Sequence, residues 1–412
     1  MNVLRQILCF LGVGTSLLAQ PLEPIGIDDP IPVGQPPVDY ESVQTSDAFA
    51  KWREQIETDQ GKLTADESGS YLGTLLKTFN ISPHSQLLVF SKTSLNVPLI
   101  SPENPRAIYF NDELYVGWVP GAAAFELMSF DPRKGSMFYT LSQEGDAVPR
   151  LQREHRCLTC HLSGMTRGVP GPMLRSLKTA AGGKPHSGYS GITHASDYFK
   201  RWGGWYVTGA PAGFHHSGNI FGVERIEEHR LQPDLHGQYD TLDSFFDVTK
   251  HIVPTSDVLP HLVLDHQVEA QNLIVRVHHE HLYRKRSDAE ERLVRYLLLL
   301  DEPAFPVPIT GNQQYAEWYE SQGPQDEQGR SLREFDLETR LFKYRCSPLV
   351  VSPLFASLPE EPRRRIAGRI EEVLSGKSPE ANAIPIEQRT ETLELLRKLS
   401  PDFRKEKPDS SR

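Results

Sequence analysis

The stretch REHRCLTCHLSGMTRGVPGPMLRSL, residues 153–177, decides how the rest of this chain of 412 residues is interpreted. Cys157 and Cys160 are separated by two residues, and His161 follows directly. C-x-x-C-H is the attachment signature of a c-type haem. The spacing places both sulfurs on one helical turn, where each bonds a haem vinyl group, and the imidazole then binds the iron. The sequence therefore predicts one covalent haem c on Cys157 and Cys160, with His161 as the proximal iron ligand.

The sequence gives weaker support to three other roles for the cysteine pair. A redox-active C-x-x-C of the thioredoxin type follows a strand and opens a helix, whereas here Arg156 precedes the motif and a Ser-Gly-rich loop follows it. A zinc site needs further ligands, usually a second C-x-x-C or a histidine pair at set spacing, and the sequence offers no such pair. A structural disulfide within the motif leaves the adjacent His161 unexplained.

The N-terminus indicates the compartment. Residues 1–5 are short and carry one positive charge, residues 6–19 are apolar and nearly uncharged, and a polar, Pro-rich stretch follows. This order predicts a secretory signal peptide over residues 1–19; the alternative is an uncleaved N-terminal anchor. No later run approaches the ~18 apolar residues of a membrane span. We therefore expect an exported protein, periplasmic or secreted, which agrees with haem attachment outside the cytoplasm.

Charge and cysteine count exclude two classes. The net charge of −10 argues against a nucleic-acid partner, because such partners select a basic surface. Cleavage after residue 19 leaves three cysteines, and an odd number excludes a full disulfide framework. Cys346, in the run KYRCSPLVV, is expected to be a buried free thiol.

The pattern of apolar and turn residues along the chain predicts an α+β fold, with a β-meander followed by the haem-binding segment and a mainly helical C-terminal half. The runs LLVFSK, AIYFND, ELYVGWVP, FELMSF and SMFYTL, between residues 86 and 142, are strand-like and separated by turn residues. From residue 256 apolar residues recur at helical spacing, including Leu259, Leu262 and His266 on one face. Residues 306–330 are predicted to be a loop.

The predicted organisation has four parts after the signal peptide. Residues 20–40, rich in Pro and Gly, are interpreted as an extended linker. Residues 41–255 form an α+β haem-binding region, and residues 256–402 form a helical region packed on it. The charged residues 403–412 are predicted to be a disordered tail.

The sixth iron ligand decides what the haem can do, because two strong ligands favour electron transfer and an open position favours chemistry on a small molecule. Met173 lies twelve residues after His161 in a Gly-Pro-Met turn; the alternative is that its thioether only fills space. His194 and His216 are the competing candidates. His266 is expected to be a core histidine bonded to a backbone carbonyl.

Other side chains are candidates for the haem pocket or for the surface. Trp202 and Trp205 flank a Gly-Gly pair and are candidate walls of the pocket; the alternative is an ordinary sheet core. Arg175 and Arg201 are candidate partners of the haem propionates. The histidines near the end of the same predicted helix as His266 are expected to face solvent; they are His278, His279 and His281.

Several longer runs resemble a family of large secreted proteins with a cytochrome c domain. They are VFSKTSLN, ISPENPRAIYFNDELYVGWVPG, DPRKGSMFYTL, CLTCH, RWGGWYVTG, TSDVLPHLVLDHQ and GRSLREFDLETRLFKYRCSPLVVSP, and they span roughly residues 86–400. The resemblance implies one haem c, with Cys157, Cys160 and His161 in the roles given above, and an electron-transfer function without a stated substrate. The family's His-x-Gly-Asn and Asp-His-Gln patterns fall on residues 216–219 and 265–267, which makes His216 and His266 candidates for the haem pocket.

The expected function is therefore single-electron transfer by an exported cytochrome that docks with a redox partner protein. Two alternatives stay open. One is a haem enzyme of peroxidase or oxidase type with an open distal site, because the chain is much longer than a minimal cytochrome. The other is a haem-based sensor or binding module. The sequence predicts neither the redox potential nor the oligomeric state.

Overall fold

The computed structural model describes residues 22–404, except residues 43, 58–62, 66–69 and 144–149. The predicted signal peptide and the last eight residues of the predicted tail lie outside the described residues. The predicted α+β class is confirmed, since an antiparallel sheet forms in the N-terminal half and helices dominate the C-terminal half.

The predicted β-meander is confirmed as a six-stranded antiparallel sheet in which each strand pairs with its neighbours in sequence. Its strands are β2 Leu87–Val89, β3 Arg106–Phe110, β4 Leu114–Trp118, β5 Ala124–Asp131, β6 Gly135–Ser142 and β7 Leu151–Arg153. Two small sheets flank it. They pair β1 Glu23–Pro24 in parallel with β10 Lys285–Arg286, and β8 Arg175–Thr179 in antiparallel with β9 Pro185–Gly191.

Both faces of the large sheet are covered, so its strands carry apolar residues at successive positions. Tyr115 pairs with Met128, and Met128 pairs with Phe138 on the next strand. These three side chains therefore share one face, since side chains alternate along a strand. The opposite face, which includes Val116 and Leu127, packs into the larger core with the N-terminal helices.

Ten α-helices occur in the described part of the chain. They are α1 Ala48–Glu57, α2 Leu72–Thr78, α3 Leu158–His161, α4 Val223–Leu231, α5 Val258–Leu282, α6 Ala289–Leu297, α7 Gln313–Glu320, α8 Pro353–Ala356, α9 Glu360–Leu374 and α10 Ile386–Leu399. Helix α7 corrects the loop predicted over residues 306–330. The Asn312 side chain caps it by accepting a hydrogen bond from the Tyr315 amide (2.8 Å), and Tyr315 and Tyr319 are buried beneath it.

Helix α5 is the central element of the fold. It is buried at 22 of its 25 positions, so it crosses the interior instead of presenting one apolar face to it. The prediction that His279 faces solvent is therefore wrong. Its side chain is 1% exposed, and Nε2 lies 3.0 Å from the Arg133 carbonyl oxygen. His281 is exposed, as predicted.

The lead-in over residues 22–40, which was predicted to be an extended linker, contains turns at residues 27–29 and 33–38 and is packed against the rest of the molecule. Ile31 is 1% and Tyr40 is 2% exposed. The buried Arg276 guanidinium donates to the carbonyl of Gly26 (2.7 Å), and the Ile31 amide donates to that of Gly168 (2.9 Å). The segment is thus held against α5 and against the loop that follows the C-x-x-C-H motif.

At the other end, Phe403 is 2% exposed and packs into the core. The prediction that the disordered tail begins at residue 403 is therefore wrong for Phe403.

Candidate functional site

The C-x-x-C-H motif lies on a single helical turn. A 3-10 turn over His155–Cys157 runs directly into α3, and the Glu154 carboxylate caps it by accepting a hydrogen bond from the Arg156 amide (2.9 Å). Cys157 has helical backbone angles (φ −58°, ψ −32°), so Cys157 and Cys160 face the same side of the turn. Both are free thiols, Cys157 partly buried and Cys160 exposed.

His161 is held in one orientation. Its Nδ1 lies 2.9 Å from the carbonyl oxygen of Gly171 and donates to it, which leaves the lone pair on Nε2. Among the described residues Nε2 makes no hydrogen bond. The Phe138 ring packs against the imidazole at 4.8 Å between centroids. Burial lowers the pKa of His161 to about 4 against the opposing effect of the Gly171 carbonyl, so the ring is neutral, the form that binds metals.

His161 and both motif cysteines line a cavity of about 430 Å³, within the ~300–1,000 Å³ of typical ligand sites. The floor is the sheet face that carries Tyr115, Met128 and Phe138. The walls come from loop 91–95, residues 172–175, the β8–β9 hairpin and helix α5. The cavity is therefore largely apolar at its base and opens beside the exposed Cys160.

A glycine makes room for a charged side chain inside this cavity. A Cβ at Gly117 would lie 2.6 Å from Nη2 of Arg106. The Arg106 side chain therefore crosses the neighbouring strand β4 at Gly117, where no side chain blocks it. Arg106 pairs with Glu126 (Nη2–Oε2 2.6 Å), and its Nε is enclosed without a hydrogen-bond partner in the described part of the chain. Glu126 also accepts from the Leu95 amide (3.1 Å) and from Asn96 Nδ2 (3.0 Å), which ties loop 91–95 to the sheet.

Three of the predicted pocket residues join the motif in this cavity. Met173, Arg175 and Trp205 all line it. Trp205 donates from Nε1 to the carbonyl of Arg175 (2.8 Å), and the Arg175 guanidinium lies over the exposed ring of Tyr189. These three residues therefore lie in the same cavity as Cys157, Cys160 and His161.

Trp202 and Arg201 lie elsewhere, in the interior behind the cavity wall. Trp202 is fully buried and donates from Nε1 to both carboxylate oxygens of Asp265 (3.1 Å each). Arg201 pairs with the same carboxylate (3.0 Å) and also donates to backbone carbonyls. Burial raises the pKa of Asp265 to about 7, opposed by the Arg201 charge and the Trp202 hydrogen bond.

His194 is sealed in a second polar network. Its Nδ1 lies 2.8 Å from Nδ1 of His266, and its ring stacks on Tyr296 at 3.6 Å between centroids. His266 is a core histidine, as predicted, but its Nε2 bonds the Ser347 hydroxyl (2.6 Å) instead of a backbone carbonyl. Neither histidine is among the residues that line the cavity.

His216 is also enclosed and separate from the cavity. It is 0% exposed, its Nδ1 accepts from the Gly218 amide (3.0 Å), and its ring lies 4.0 Å from that of His236. Burial lowers the pKa of His216 well below its ordinary range, and the neighbouring His236 adds to this. The structure thus brings Met173, and neither His194 nor His216, to the cavity of His161.

Sequence reasoning missed the sheet face of the site. Arg106, Gly117, Glu126 and Met128 lie on three different strands and meet only through strand register. The one local signal is Arg106, a charged residue opening a strand of otherwise apolar residues. Met128 matters most among these, because it places a second thioether in the cavity.

The described residues fit a covalently attached haem. The motif supplies two thiols on one face and an oriented neutral imidazole, the sheet supplies an apolar floor, and Arg106 offers an enclosed donor without a partner. No group of three or more His, Cys, Asp or Glu side chains in the described part of the chain is arranged to hold a metal ion by itself. Nor does that part contain a helix long and apolar enough to cross a membrane.

Comparison with protein-family models, with curated proteins and with solved structures gave no match.

Proposed function

We propose that this protein is an exported c-type cytochrome that carries one haem on Cys157 and Cys160, with His161 as the proximal ligand, and transfers single electrons. One observation carries the proposal. The imidazole of His161 faces the cavity with Nε2 available, while Nδ1 is bound to the Gly171 carbonyl (2.9 Å). Ligating histidines characteristically donate their second N–H in this way, which fixes the tautomer and the ring orientation.

Bound haem would supply a reversible one-electron couple. The chain's own residues do the rest. The Gly171 carbonyl holds the imidazole and increases its basicity. Tyr115, Met128 and Phe138 exclude water from the base of the cavity, and a dry surround is one of the factors that set a redox potential.

The cationic side chains of the cavity suit the two haem carboxylates. Lys92, Arg106, Arg156 and Arg175 all line it. Arginine pairs with carboxylates through two parallel hydrogen bonds, and the enclosed Nε of Arg106 has no partner among the described residues. Arg106 is accordingly the side chain that we assign to a haem propionate, and it takes over a role that the sequence suggested for Arg201.

Met173 is the sixth ligand in this proposal. It is the one residue among the three candidates from the sequence that lines the cavity. Met128 is the other thioether there, so the pair must be tested together. Methionine with histidine as axial ligands is the combination that raises the potential of electron-carrying cytochromes.

A haem enzyme is the second candidate, and one observation favours it. His161 is the only histidine among the described residues that line the cavity. If neither thioether reaches the iron, its second axial position is open to a small molecule.

The optical spectrum of the holoprotein, expressed with haem-maturation factors, tests both candidates. We expect covalent haem by intact mass, and a low-spin reduced spectrum that carbon monoxide does not change. The variants M173L and M128L identify the ligand, and M165L is the matched control because Met165 is exposed and outside the cavity lining. A high-spin spectrum that shifts with carbon monoxide in the wild type would favour the enzyme, and a mass without haem would exclude both.

A further inference from the structure

The distribution of charge along the chain is uneven at the cavity. Residues 155–196 contain five Lys or Arg residues and no Asp or Glu, in a chain whose net charge is −10. This stretch includes α3, β8 and β9. Because several of its residues line the cavity, this stretch contributes positive charge there although the whole protein is acidic.

Two of these cations are already neutralised. Arg156 pairs with Glu154 (2.6 Å), and Arg167 pairs with Asp28 and Glu269 (2.8 and 2.7 Å). Lys178 and Lys184, on the β8–β9 hairpin, are exposed and have no carboxylate within salt-bridge distance among the described residues.

A third lysine is fixed beside them from another part of the chain. The amide of Lys92 donates to the carbonyl of Gly183 (3.0 Å), which joins loop 91–99 to the hairpin. Gly183 has φ +81°, and a Cβ there would lie 2.3 Å from the Phe90 carbonyl oxygen, so the close approach requires glycine. We call loop 91–99 and hairpin 175–191 together the rim.

The rim is also apolar. Ten large hydrophobic side chains are exposed in the described part of the chain, and four of them are on the rim. They are Leu95 at 41%, Val97 at 40%, Leu99 at 39% and Tyr189 at 59% exposure. Met165, at 37% exposure, is next to it, since a Cβ at Gly191 would lie 3.7 Å from its methyl group. Clustered exposed apolar residues mark interaction sites.

We propose that the rim is the docking surface for an acidic protein that exchanges electrons with the haem. The inference rests on the proposed function and names the chemistry of the partner. Lysines at the edge of a contact mainly steer association and select the partner's charge, while the apolar centre supplies the desolvated contact. A partner with carboxylates around an apolar patch complements both features.

The composition of the rim favours a protein over an anionic membrane. Surfaces that recognise anionic lipid carry clusters of about 4–8 Lys or Arg. Of the four Lys and Arg residues on the rim, Lys92 and Arg175 line the cavity, which leaves Lys178 and Lys184 exposed outside it, fewer than such a cluster.

The first test is the rate at which ferricyanide oxidises the reduced holoprotein, measured at low salt and at about tenfold higher ionic strength, where the Debye length is about threefold shorter. The net charge of −10 predicts a rate that rises with salt, whereas a cationic rim predicts a rate that falls. We expect the rate to fall, and we expect K178E/K184E to lower the low-salt rate several-fold. A rate that rises with salt, with no effect of the variant, would overturn the proposal.

The matched control is K377E, a charge reversal at an exposed lysine between α9 and α10 that is outside the cavity lining; we expect it to leave the rate unchanged. Lys178 and Lys184 do not line the cavity, so both variants are expected to retain one haem by mass. Wild-type protein that lacks haem contradicts the proposed function itself.

Binding assays identify the class of partner. Fluorescent poly-L-glutamate should bind the wild-type holoprotein, and K178E/K184E should lose that binding while K377E keeps it. This readout does not depend on electron transfer. The opposite outcome has two parts: the wild type sediments with phosphatidylglycerol vesicles while K178E/K184E does not, and the wild type does not bind poly-L-glutamate. This result would overturn the proposal of a protein partner and assign the rim to a membrane.

Discussion

Two regions of the molecule are rich in histidine and aromatic residues, and they differ in whether an imidazole nitrogen reaches open space. In the cavity, His161 is tied by Nδ1 and presents Nε2 to a volume of about 430 Å³. In the interior, His194 and His266 bond each other, and His216 packs against His236 and Trp202. We refer to these as the cavity region and the sealed region.

The difference between the two regions shows that residue type alone does not locate a ligand site. An imidazole can bind a metal when one nitrogen is anchored and the other is free in a space that fits the ligand. In the sealed region the same side chains serve as buried polar groups, and their hydrogen bonds fix the position of the loop around Trp202 against α5.

The largest expected effect is the loss of covalent haem when the two motif cysteines, and not Cys346, are replaced. The C157A/C160A variant is expected to lose covalent haem completely, because neither thiol of the motif remains to form a thioether. C346A is the control, since Cys346 is 0% exposed in the core; it should keep one haem and lose about 1 kcal/mol of stability through a small cavity. Intact mass and haem staining after denaturing electrophoresis measure the outcome. Covalent haem on C157A/C160A would mean that the cavity region is not the site of haem attachment.

The next effect tests the sealed region. D265A is expected to lower the free energy of unfolding by about 3–5 kcal/mol, because it leaves Arg201 buried without a counter-charge. Urea unfolding measured near pH 8 gives this number, and D243A, at an exposed carboxylate, should change stability by less than about 0.5 kcal/mol. Equal effects of the two variants would mean that the Arg201–Asp265 pair is not enclosed.

The Asp265 carboxyl is also expected to make the free energy of unfolding depend on pH. Burial raises the pKa of Asp265 to about 7, whereas an unfolded chain releases this proton near pH 4. The folded state therefore binds more protons between about pH 4 and pH 7, and stability falls as the pH rises through this window. D265N cannot ionise, so its curve of unfolding free energy against pH should be flatter. A D265N curve parallel to that of the wild type would show that Asp265 does not titrate there.

The smallest expected effect distinguishes the histidines. H194Q and H216Q should each lower stability by about 1–3 kcal/mol through lost or unsatisfied hydrogen bonds, and neither should alter the optical spectrum of the haem. H161Q is the comparison variant, because loss of the proximal imidazole should change the spectrum even where haem stays attached. A spectral shift in H194Q or H216Q alone would reassign that histidine from the sealed region to the iron.

Local patterns in the sequence predicted what local physics determines. Strand-like runs separated by turn residues predicted the meander, and C-x-x-C-H predicted a helical turn carrying both thiols. The floor of the cavity was not predictable, since Tyr115, Met128 and Phe138 become neighbours only through the register of three strands. The location of Trp202 was not predictable either, because its partner, Asp265, lies 63 residues further along the chain.

The packed lead-in has a consequence for the order of folding. Arg276 holds the carbonyl of Gly26 across 250 residues of sequence, and the same lead-in binds Gly168 behind the C-x-x-C-H turn. Contacts of such sequence separation form late, since loop closure opposes them. The lead-in must therefore wait for α5 before it docks, although it precedes α5 in the chain. Until then the motif cysteines lie on an unclosed loop, where they would be accessible for the haem attachment that we propose, and docking of the lead-in completes the loop only after that interval.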